Sequence, residues 1–219
     1  MIWNWDFAVA ILPAILQGLA VTLQAVALGM TIALALGLFW AIVRRSPRRW
    51  IRWPANLIVE FIRSTPLLVQ IFFVFFVFPH LGLTLSPLTA GVLALGVHYS
   101  CYTAEVYRAG INAVSRGQWE AARALNLSRF ATYRHVVLPQ AIPPIIPALG
   151  NYLIAMFKDA PLLSAITVLG ILQRAKNIGN ETGSYLEPMT IVGVVFLILS
   201  LLAGLAVGWL DRRLKLKTS

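Results

Sequence analysis

Polar side chains that could line a route for a small polar solute stand inside long apolar stretches of this sequence. They are Thr65, Tyr99, Glu105 and Asp159. Burying a charged group in hydrocarbon is costly, so such residues usually face a partner or a water-filled pathway. For Asp159 and its neighbour Lys158, the alternative is a position at the outer surface of a membrane.

Two glutamates have an alternative explanation as ion-pair partners. Glu105 stands three residues before Arg108, and Glu60 stands three residues before Arg63. This spacing puts the members of each pair on one face of a helix. Structural pairing and pathway lining both stay open for Glu105, whereas pairing is the preferred interpretation for Glu60.

No catalytic or metal-binding constellation accompanies these residues. The sequence has no Gly-x-x-x-x-Gly-Lys-Ser/Thr motif, so the chain is not expected to bind ATP in that manner. His80, His98 and His135 lie in three different segments, and the single cysteine, Cys101, cannot form a disulfide framework or a cysteine cluster. We therefore expect a protein that is not an enzyme and that holds neither a cofactor nor a metal.

The composition indicates an integral membrane protein built from α-helices. Hydrophobic residues make up 59% of the 219 residues, and charged residues make up 12%, against roughly a quarter in soluble domains. A mean hydropathy of +0.78 implies more apolar surface than a soluble core of this size absorbs. Because an apolar helix needs about 20 residues to cross a bilayer, the length suits about five transmembrane helices.

The positive charge is concentrated in a few segments. The formal net charge is +10, and most basic residues lie within Arg44–Arg52, Arg108–Arg134 and Arg212–Lys217. Basic loops of this kind mark the cytoplasmic side of a membrane protein, whereas a nucleic-acid-binding domain would carry one basic face. The pattern predicts an N-terminus outside, a C-terminus in the cytoplasm and no nucleic-acid partner.

Five spans satisfy this charge distribution within one domain that covers residues 1–219. They are predicted at about 17–43, 55–79, 86–113, 142–159 and 188–210. The start of the chain lacks the basic residues and cleavage site of a signal peptide, so the first span is expected to remain uncleaved.

Three features interrupt the apolar runs. Ser-Thr-Pro at 64–66 breaks the second span, and three prolines within 143–147 predict a bent or delayed start of the fourth. The apolar run 162–172 is too short to cross a bilayer. It predicts a packed or re-entrant segment that leads into an external loop at 173–187.

A polar segment between the third and fourth spans predicts a cytoplasmic helix–turn–helix. Helix formers fill Gln118–Leu125, and Asn126 follows at a position suited to a left-handed C-terminal cap. Ser128 suits the N-cap of a second short helix, Arg129–Val137, which Pro139 is expected to separate from the next span. The pattern alone also fits an amphipathic loop that lies on lipid headgroups.

The residues of this segment resemble the EAA loop of ABC import permeases, which in that family docks into a groove of the ATPase subunit. The matching residues are Gly117, Glu120, Ala121, Ala122, Asn126, Leu138 and Pro139. The family usually has glycine where this chain has Asn126, and asparagine is the next most tolerant residue for a left-handed turn. The resemblance implies an ATPase-coupling loop over residues 114–139.

Three further stretches resemble the polar amino acid branch of that family, which is of the histidine and glutamine type. They are Arg63–Gln70, Tyr102–Ile111 and Lys158–Ser164. In the first stretch Ser64 replaces a glycine of the family signature, and the third stretch departs from its motif at two positions. Together the matches extend from about residue 20 to the C-terminus.

The resemblance implies a MetI-like permease fold in a bacterial inner membrane. It also implies the partners of an ABC importer: an ATP-binding subunit, a second permease subunit (identical or paralogous), an external solute-binding protein and the lipid bilayer. Its implied mechanism is alternating access, driven by ATP hydrolysis in the partner chain. The implied solute is a polar amino acid or a related zwitterion.

A narrower resemblance is to permeases of ectoine and hydroxyectoine importers. It rests on Ala124–Leu127, Ala160–Ile166 and Tyr185–Met189, and ectoine is itself a zwitterionic cyclic amino acid. The main alternative is an ion-gradient-driven secondary transporter of small polar solutes, which would show inverted repeats or matching broken helices. Neither feature is evident, and the polar helix–turn–helix between two spans also argues against a membrane-embedded enzyme or a lipid-bound scaffold.

Overall fold

The computed structural model describes residues 3–215, and every regular element among them is helical, which confirms the predicted all-α class. The helices are α1 Trp5–Val43, α2 Arg49–Arg63, α3 Leu67–Phe72, α4 Pro87–Asn112, α5 Arg116–Ala124, α6 Arg129–Thr132, α7 Leu138–Asp159, α8 Ile171–Thr182 and α9 Leu186–Lys215. Two π-helical turns, Phe73–Val77 and Tyr133–Val137, and two 3-10 segments, Phe78–Leu81 and Ala160–Ile166, extend these helices. Lys217, part of the basic C-terminal segment, lies outside the described residues.

Within residues 3–215, three helices are long and apolar enough to cross a bilayer, or four if the bent pair of α2 and α3 is one span. The three are Trp5–Val43, Arg129–Ile166 and Leu186–Leu214. The helix at the predicted third span, α4, is not among them, although it lies within one residue of the predicted bounds. Its polar residues lower its hydropathy, which is compatible with a membrane location because α1, α3 and α7 pack around it.

The first helix is much longer than the predicted span. It begins at Trp5 rather than near residue 17, because the side chain of Asn4 accepts a hydrogen bond from the Phe7 amide (3.1 Å) and caps the helix. Asp6 adds a negative charge in the first turn, where the helix dipole favours it. At 1.5 Å per residue, the 39 residues extend over about 58 Å.

The predicted second span is two helices that meet at a sharp angle. The axis of Arg49–Arg63 and that of Leu67–Leu81 differ by 103°. The break falls at the predicted Ser-Thr-Pro sequence, where Pro66 adopts an extended conformation and cannot donate a helical hydrogen bond. The predicted break is therefore present, and it is sharp: α3 packs against α4, and α2 leaves the break in a different direction while contacting α1 and α4.

The predicted separation of the second short helix from the fourth span is also wrong. Helix α6, the π-helical turn and α7 form one continuous helical rod, and Pro139 lies in the first turn of α7. Proline fits there because the widened π turn before it already departs from regular α-helical hydrogen bonding. Pro143, Pro144 and Pro147 lie inside α7 without ending it.

The segment after the fourth span is packed, as predicted, and residues 173–187, which were predicted to form an external loop, are mostly helical. Leu163 and Ile166 of the 3-10 segment are buried, and Thr167 then turns the chain with a left-handed φ of 60°. Helix α8 follows, and the Ile171 amide at its start donates to Thr22 Oγ1 of α1 (3.0 Å). A left-handed Gly183 ends α8.

Small residues bring α1 and α4 into close contact at the centre of the bundle. Thr103 Oγ1 donates a hydrogen bond to the Ala33 carbonyl oxygen of α1 (2.7 Å). A Cβ added at Gly37 would lie 2.0 Å from Thr103 Oγ1 and 3.0 Å from the Ser100 carbonyl oxygen. Glycine is therefore required at residue 37, as is typical where membrane helices approach closely.

Replacing Gly37 by alanine should destabilise the folded protein by about 1–3 kcal/mol, because the added methyl group overpacks the α1–α4 contact. The measurement is the midpoint of thermal unfolding of the detergent-purified protein. Gly204→Ala is the matched control, since a Cβ at Gly204 meets nothing within 4 Å. Equal midpoints for the two variants would contradict the close approach of α1 to α4.

Candidate functional site

A stripe of polar and aromatic side chains follows one face of α4. Tyr99, Tyr102 and Glu105 succeed one another at three-residue spacing, so they share one face of the helix. Tyr152 of α7 joins the stripe, with its ring centroid 5.7 Å from that of Tyr102 and 6.4 Å from that of Tyr99. We call these four residues, together with Asp159, the polar column.

At one end of the polar column, two predicted pathway residues are in direct contact. The Tyr99 hydroxyl donates a hydrogen bond to Asp159 Oδ2 at 2.7 Å. Asp159 ends α7, and Tyr99 is buried in the middle of α4. The fold thus joins two residues that are 60 positions apart in the sequence, and a carboxylate lies beside the aromatic part of the column.

At the other end, Glu105 lies within a cluster of three arginines. Its carboxylate accepts hydrogen bonds from Arg44 Nη1 (2.5 Å) and Arg108 Nε (3.1 Å), and Arg63 Nη1 is 3.7 Å away. Arg44 also donates from Nε to Asn56 Oδ1 of α2 (2.7 Å). The predicted Glu105–Arg108 pair is therefore present, but the main partner is Arg44, whose side chain is only 10% exposed.

Glu105 also borders open space. A cavity of about 470 Å³ lies between α4 and α7, and Glu105 and Tyr152 are polar residues of its wall. Apolar residues of the two helices and Pro144 of α7 form the rest of the lining. The structure thus shows the ion pairs of Glu105 and also its position beside a cavity.

Thr65 lies at the break between α2 and α3, away from the direct contacts of the polar column. Gln70 Nε2 donates to Thr65 Oγ1 (2.7 Å) and to the Ile62 carbonyl oxygen at the end of α2 (2.7 Å). Gln70 Oε1 lies 3.1 Å from His98 Nδ1 on α4. Through Gln70, Thr65 is connected to the helix that carries the column.

Arg63 connects the helix break to the column directly. Its guanidinium carbon lies 5.4 Å from the centre of the Tyr102 ring, a cation–π contact, and its Nη1 lies 3.8 Å from Glu60. The predicted Glu60–Arg63 pair is thus present. The roles of Arg44, Gln70 and His98 were not predicted, and for Gln70 the available signal was its place in the Arg63–Gln70 stretch.

The polar segment between α4 and α7 forms the predicted helix–turn–helix. Asn126 has a left-handed φ of 50°, and its amide donates to the Arg123 carbonyl oxygen (2.9 Å). The Leu127 amide donates to the Ala122 carbonyl oxygen (3.0 Å), which completes a Schellman-type end of α5. The Ser128 side chain then caps α6 by accepting from the Ala131 amide (3.2 Å).

This helix–turn–helix, which we call the knob, presents a mixed apolar and basic surface. Leu125 and Phe130 are 73% and 74% exposed at the turn. Of the seven residues in the predicted coupling motif, only Ala122 is buried. The exposed members are Gly117, Glu120, Ala121, Asn126, Leu138 and Pro139. Four arginines of the segment, at positions 116, 123, 129 and 134, are exposed beside them.

The chain matches known membrane transport proteins over nearly its whole length. A family described as "binding-protein-dependent transport system inner membrane component" matches residues 33–216. A probable amino-acid ABC transporter permease of Sinorhizobium fredii, y4tG, is 49% identical over 216 residues, which are 95% of this chain and 94% of the relative. The arginine transport system permease ArtQ of Bacillus subtilis is 36% identical over 97% of this chain and 98% of its own length.

Solved structures agree with the sequence matches. An amino acid ABC transporter crystallised with histidines has 36% identity and a TM-score of 0.92, over 97% of this chain and all of that chain. The MetNI methionine ABC transporter in an inward-facing conformation has 22% identity and a TM-score of 0.72 over 97% of this chain and 99% of that chain, which shows the shared MetI-like fold alone. The chain therefore belongs to the family of binding-protein-dependent transport system inner membrane components.

Proposed function

We propose that this permease imports polar amino acids, with energy supplied by an ATP-binding partner subunit. The observation that carries the proposal is one continuous helical rod that runs from the knob at Arg129 to Asp159 of the polar column. At 1.5 Å per residue this rod extends over about 46 Å. A force on the knob would therefore reach the polar column without crossing a flexible joint other than the π turn.

The proposed partners follow from the surfaces at the two ends of the bundle. The knob suits an ATPase groove because Leu125 and Phe130 are apolar anchors within a basic rim. A second permease subunit, identical or paralogous, would complete the pathway, and an external solute-binding protein would deliver the solute at the opposite face. The orientation that we propose, with the C-terminus in the cytoplasm, rests on the basic segments.

The charges of the polar column fit a zwitterionic solute. Asp159 is an anion that could attract an ammonium group, and the arginines around Glu105 exceed its single negative charge, which favours a carboxylate. Two relatives are named for the solutes of their transport systems, arginine for ArtQ of Bacillus subtilis and glutamine for the putative permease GlnP of Rickettsia conorii. These names support polar amino acids as the solute class. Ectoine stays within this proposal as a specific candidate, supported by the three short stretches that resemble its permeases.

Labelled-solute uptake by the host bacterium, with and without the gene, tests the solute class. We expect deletion to remove uptake of at least one polar amino acid, and unlabelled competitors (arginine, glutamine, histidine and ectoine) to rank the solutes. If ectoine alone competes, the narrower assignment is correct. Unchanged uptake of all four solutes in the deletion strain would contradict the proposed substrate class.

Replacing Asp159 by asparagine should lower uptake efficiency about tenfold or more, because a charge-assisted interaction with the ammonium group is lost. Tyr99→Phe removes the hydrogen bond to Asp159 but keeps the charge, so its effect should be smaller. Lys158→Gln is the matched control, since Lys158 is adjacent and exposed. Equal losses for the Asp159 and Tyr99 variants would indicate that Asp159 only holds the tyrosine.

A further inference from the structure

Helix α2 combines an exposed apolar stripe with exposed arginines. Along Arg49–Arg63 the exposed apolar residues recur every three or four positions and share one helix face. They are Trp50, Trp53, Leu57, Ile58 and Phe61, and three of them are at least 67% exposed. Arg48, Arg49 and Arg52 are exposed outside this stripe.

Helix α2 is turned sharply away from the helical segment that follows it. It meets the following helical segment at 103°, and that segment packs along α4. Asn56 and Arg63 hold α2 against Arg44 at the end of α1 and against Glu105 near the end of α4. Helix α2 therefore lies across the arginine-rich end of the bundle, with its apolar stripe directed away from the core.

We propose that α2 is an in-plane membrane-surface helix whose arginines bind the phosphates of anionic phospholipids. An amphipathic helix with Trp and Phe on one face and arginines outside that face is the type that lies at the headgroup boundary. Tryptophan prefers this depth, and each basic residue near an anionic surface adds attraction. An apolar stripe of this size also needs a cover, and lipid supplies one at this depth.

This position gives the surrounding lipid a contact with the candidate site. On this helix, Asn56 accepts a hydrogen bond from Arg44, which is the main partner of Glu105, and Arg63 lies beside Glu105 itself. Anionic lipid on the outer arginines of α2 would therefore support the ion cluster at the end of the polar column. Selective binding of anionic lipid needs no assumption about the transported solute, so it can be tested even if the proposed solute is wrong.

Lipid selectivity tests the role of the arginines. The full-length protein is placed in phosphatidylcholine vesicles, and spin-labelled phosphatidylglycerol reports its preference for the anionic lipid. The double variant Arg49→Gln with Arg52→Gln should lower that preference about fivefold for each arginine removed. Each arginine near an anionic surface contributes about 1 kcal/mol, which corresponds to this ratio. Arg212→Gln with Arg213→Gln is the control, because it removes the same charge from the end of α9 and should have the smaller effect. An equal or smaller loss for the α2 variant would overturn the proposal.

Fluorescence quenching tests whether lipid covers the stripe. The chain has seven tryptophans. The difference in fluorescence between the wild-type protein and the double variant Trp50→Phe with Trp53→Phe gives the signal of these two side chains. In the complex with the partner subunits, this signal should be quenched by phosphatidylcholine brominated near the headgroup. A signal that is quenched in the protein alone but protected in the complex would show that a protein partner covers the stripe, and would refute the lipid assignment.

Discussion

Replacing Glu120 by arginine is expected to abolish ATP-driven uptake and to weaken association with the ATPase subunit. Glu120 is exposed on α5 of the knob, four residues after Arg116 and three before Arg123. Glu120 is the one acidic residue of the segment 114–139, so the substitution places a positive charge against the group of the groove that would pair with a carboxylate, and like-charge juxtaposition across an interface costs several kcal/mol. The measurements are uptake into proteoliposomes and the amount of ATPase that co-purifies with the permease.

Glu181→Arg is the matched control for this prediction. Glu181 is an exposed glutamate of α8, so the substitution makes the same chemical change outside the knob. We expect the control to retain ATPase association. Full uptake and normal ATPase association of the Glu120 variant would show that α5 is not the coupling surface.

Replacing Glu105 by glutamine is expected to destabilise the folded protein by about 3 kcal/mol. The substitution leaves Arg44, Arg63 and Arg108 near one another without their shared carboxylate, and removal of one partner from a largely buried ion pair leaves uncompensated charge. The measurement is thermal unfolding of the purified protein, accompanied by uptake kinetics at a temperature where the variant remains folded.

Two further variants separate the ion-pair role of Glu105 from a solute contact. Glu60→Gln is the matched control, because Glu60 is 67% exposed and pairs only weakly with Arg63. Combining Glu105→Gln with Arg44→Gln should recover part of the lost stability, since one excess charge is removed with the carboxylate. An unfolding midpoint of Glu105→Gln equal to that of the wild-type protein would contradict the ion-cluster assignment.

Local sequence signals predicted the elements whose ends are set by local chemistry. The third span was predicted to begin at about residue 86, and Ser86 caps α4 there, because its side chain accepts a hydrogen bond from the Thr89 amide. The left-handed turn at Asn126 and the cap at Ser128 fall where the sequence predicted them. These features depend on a few neighbouring residues, so they could be predicted without knowledge of the tertiary structure.

The errors in the predicted spans arose where tertiary packing overrides an apolar run. Residues 55–79 are apolar on average, so their hydropathy alone shows neither that Arg49–Arg63 is amphipathic nor that the chain turns by 103° at the Ser-Thr-Pro break. Proline suggested a helix end at Pro139, but the preceding π turn lets the helix continue. Hydropathy and the positions of prolines do not determine the angle between successive helices.

The candidate site could be predicted in part. Tyr99, Glu105 and Asp159 were identified because polar residues in apolar runs are uncommon. Their connections were not, since Arg44 is 61 positions away from Glu105 and Tyr99 is 60 positions away from Asp159. Such contacts depend on how α1, α4 and α7 pack, and the sequence of one helix does not specify them.

ATP-dependent uptake by purified components tests the central claim most directly. The permease is reconstituted alone and together with the proposed ATPase subunit, second permease subunit and solute-binding protein, and uptake of a labelled polar amino acid is measured with ATP or with an ion gradient. We predict uptake only when all components and ATP are present. Uptake by the chain alone, driven by an ion gradient, would show that the protein is a secondary transporter and would contradict its proposed role in ATP-driven import.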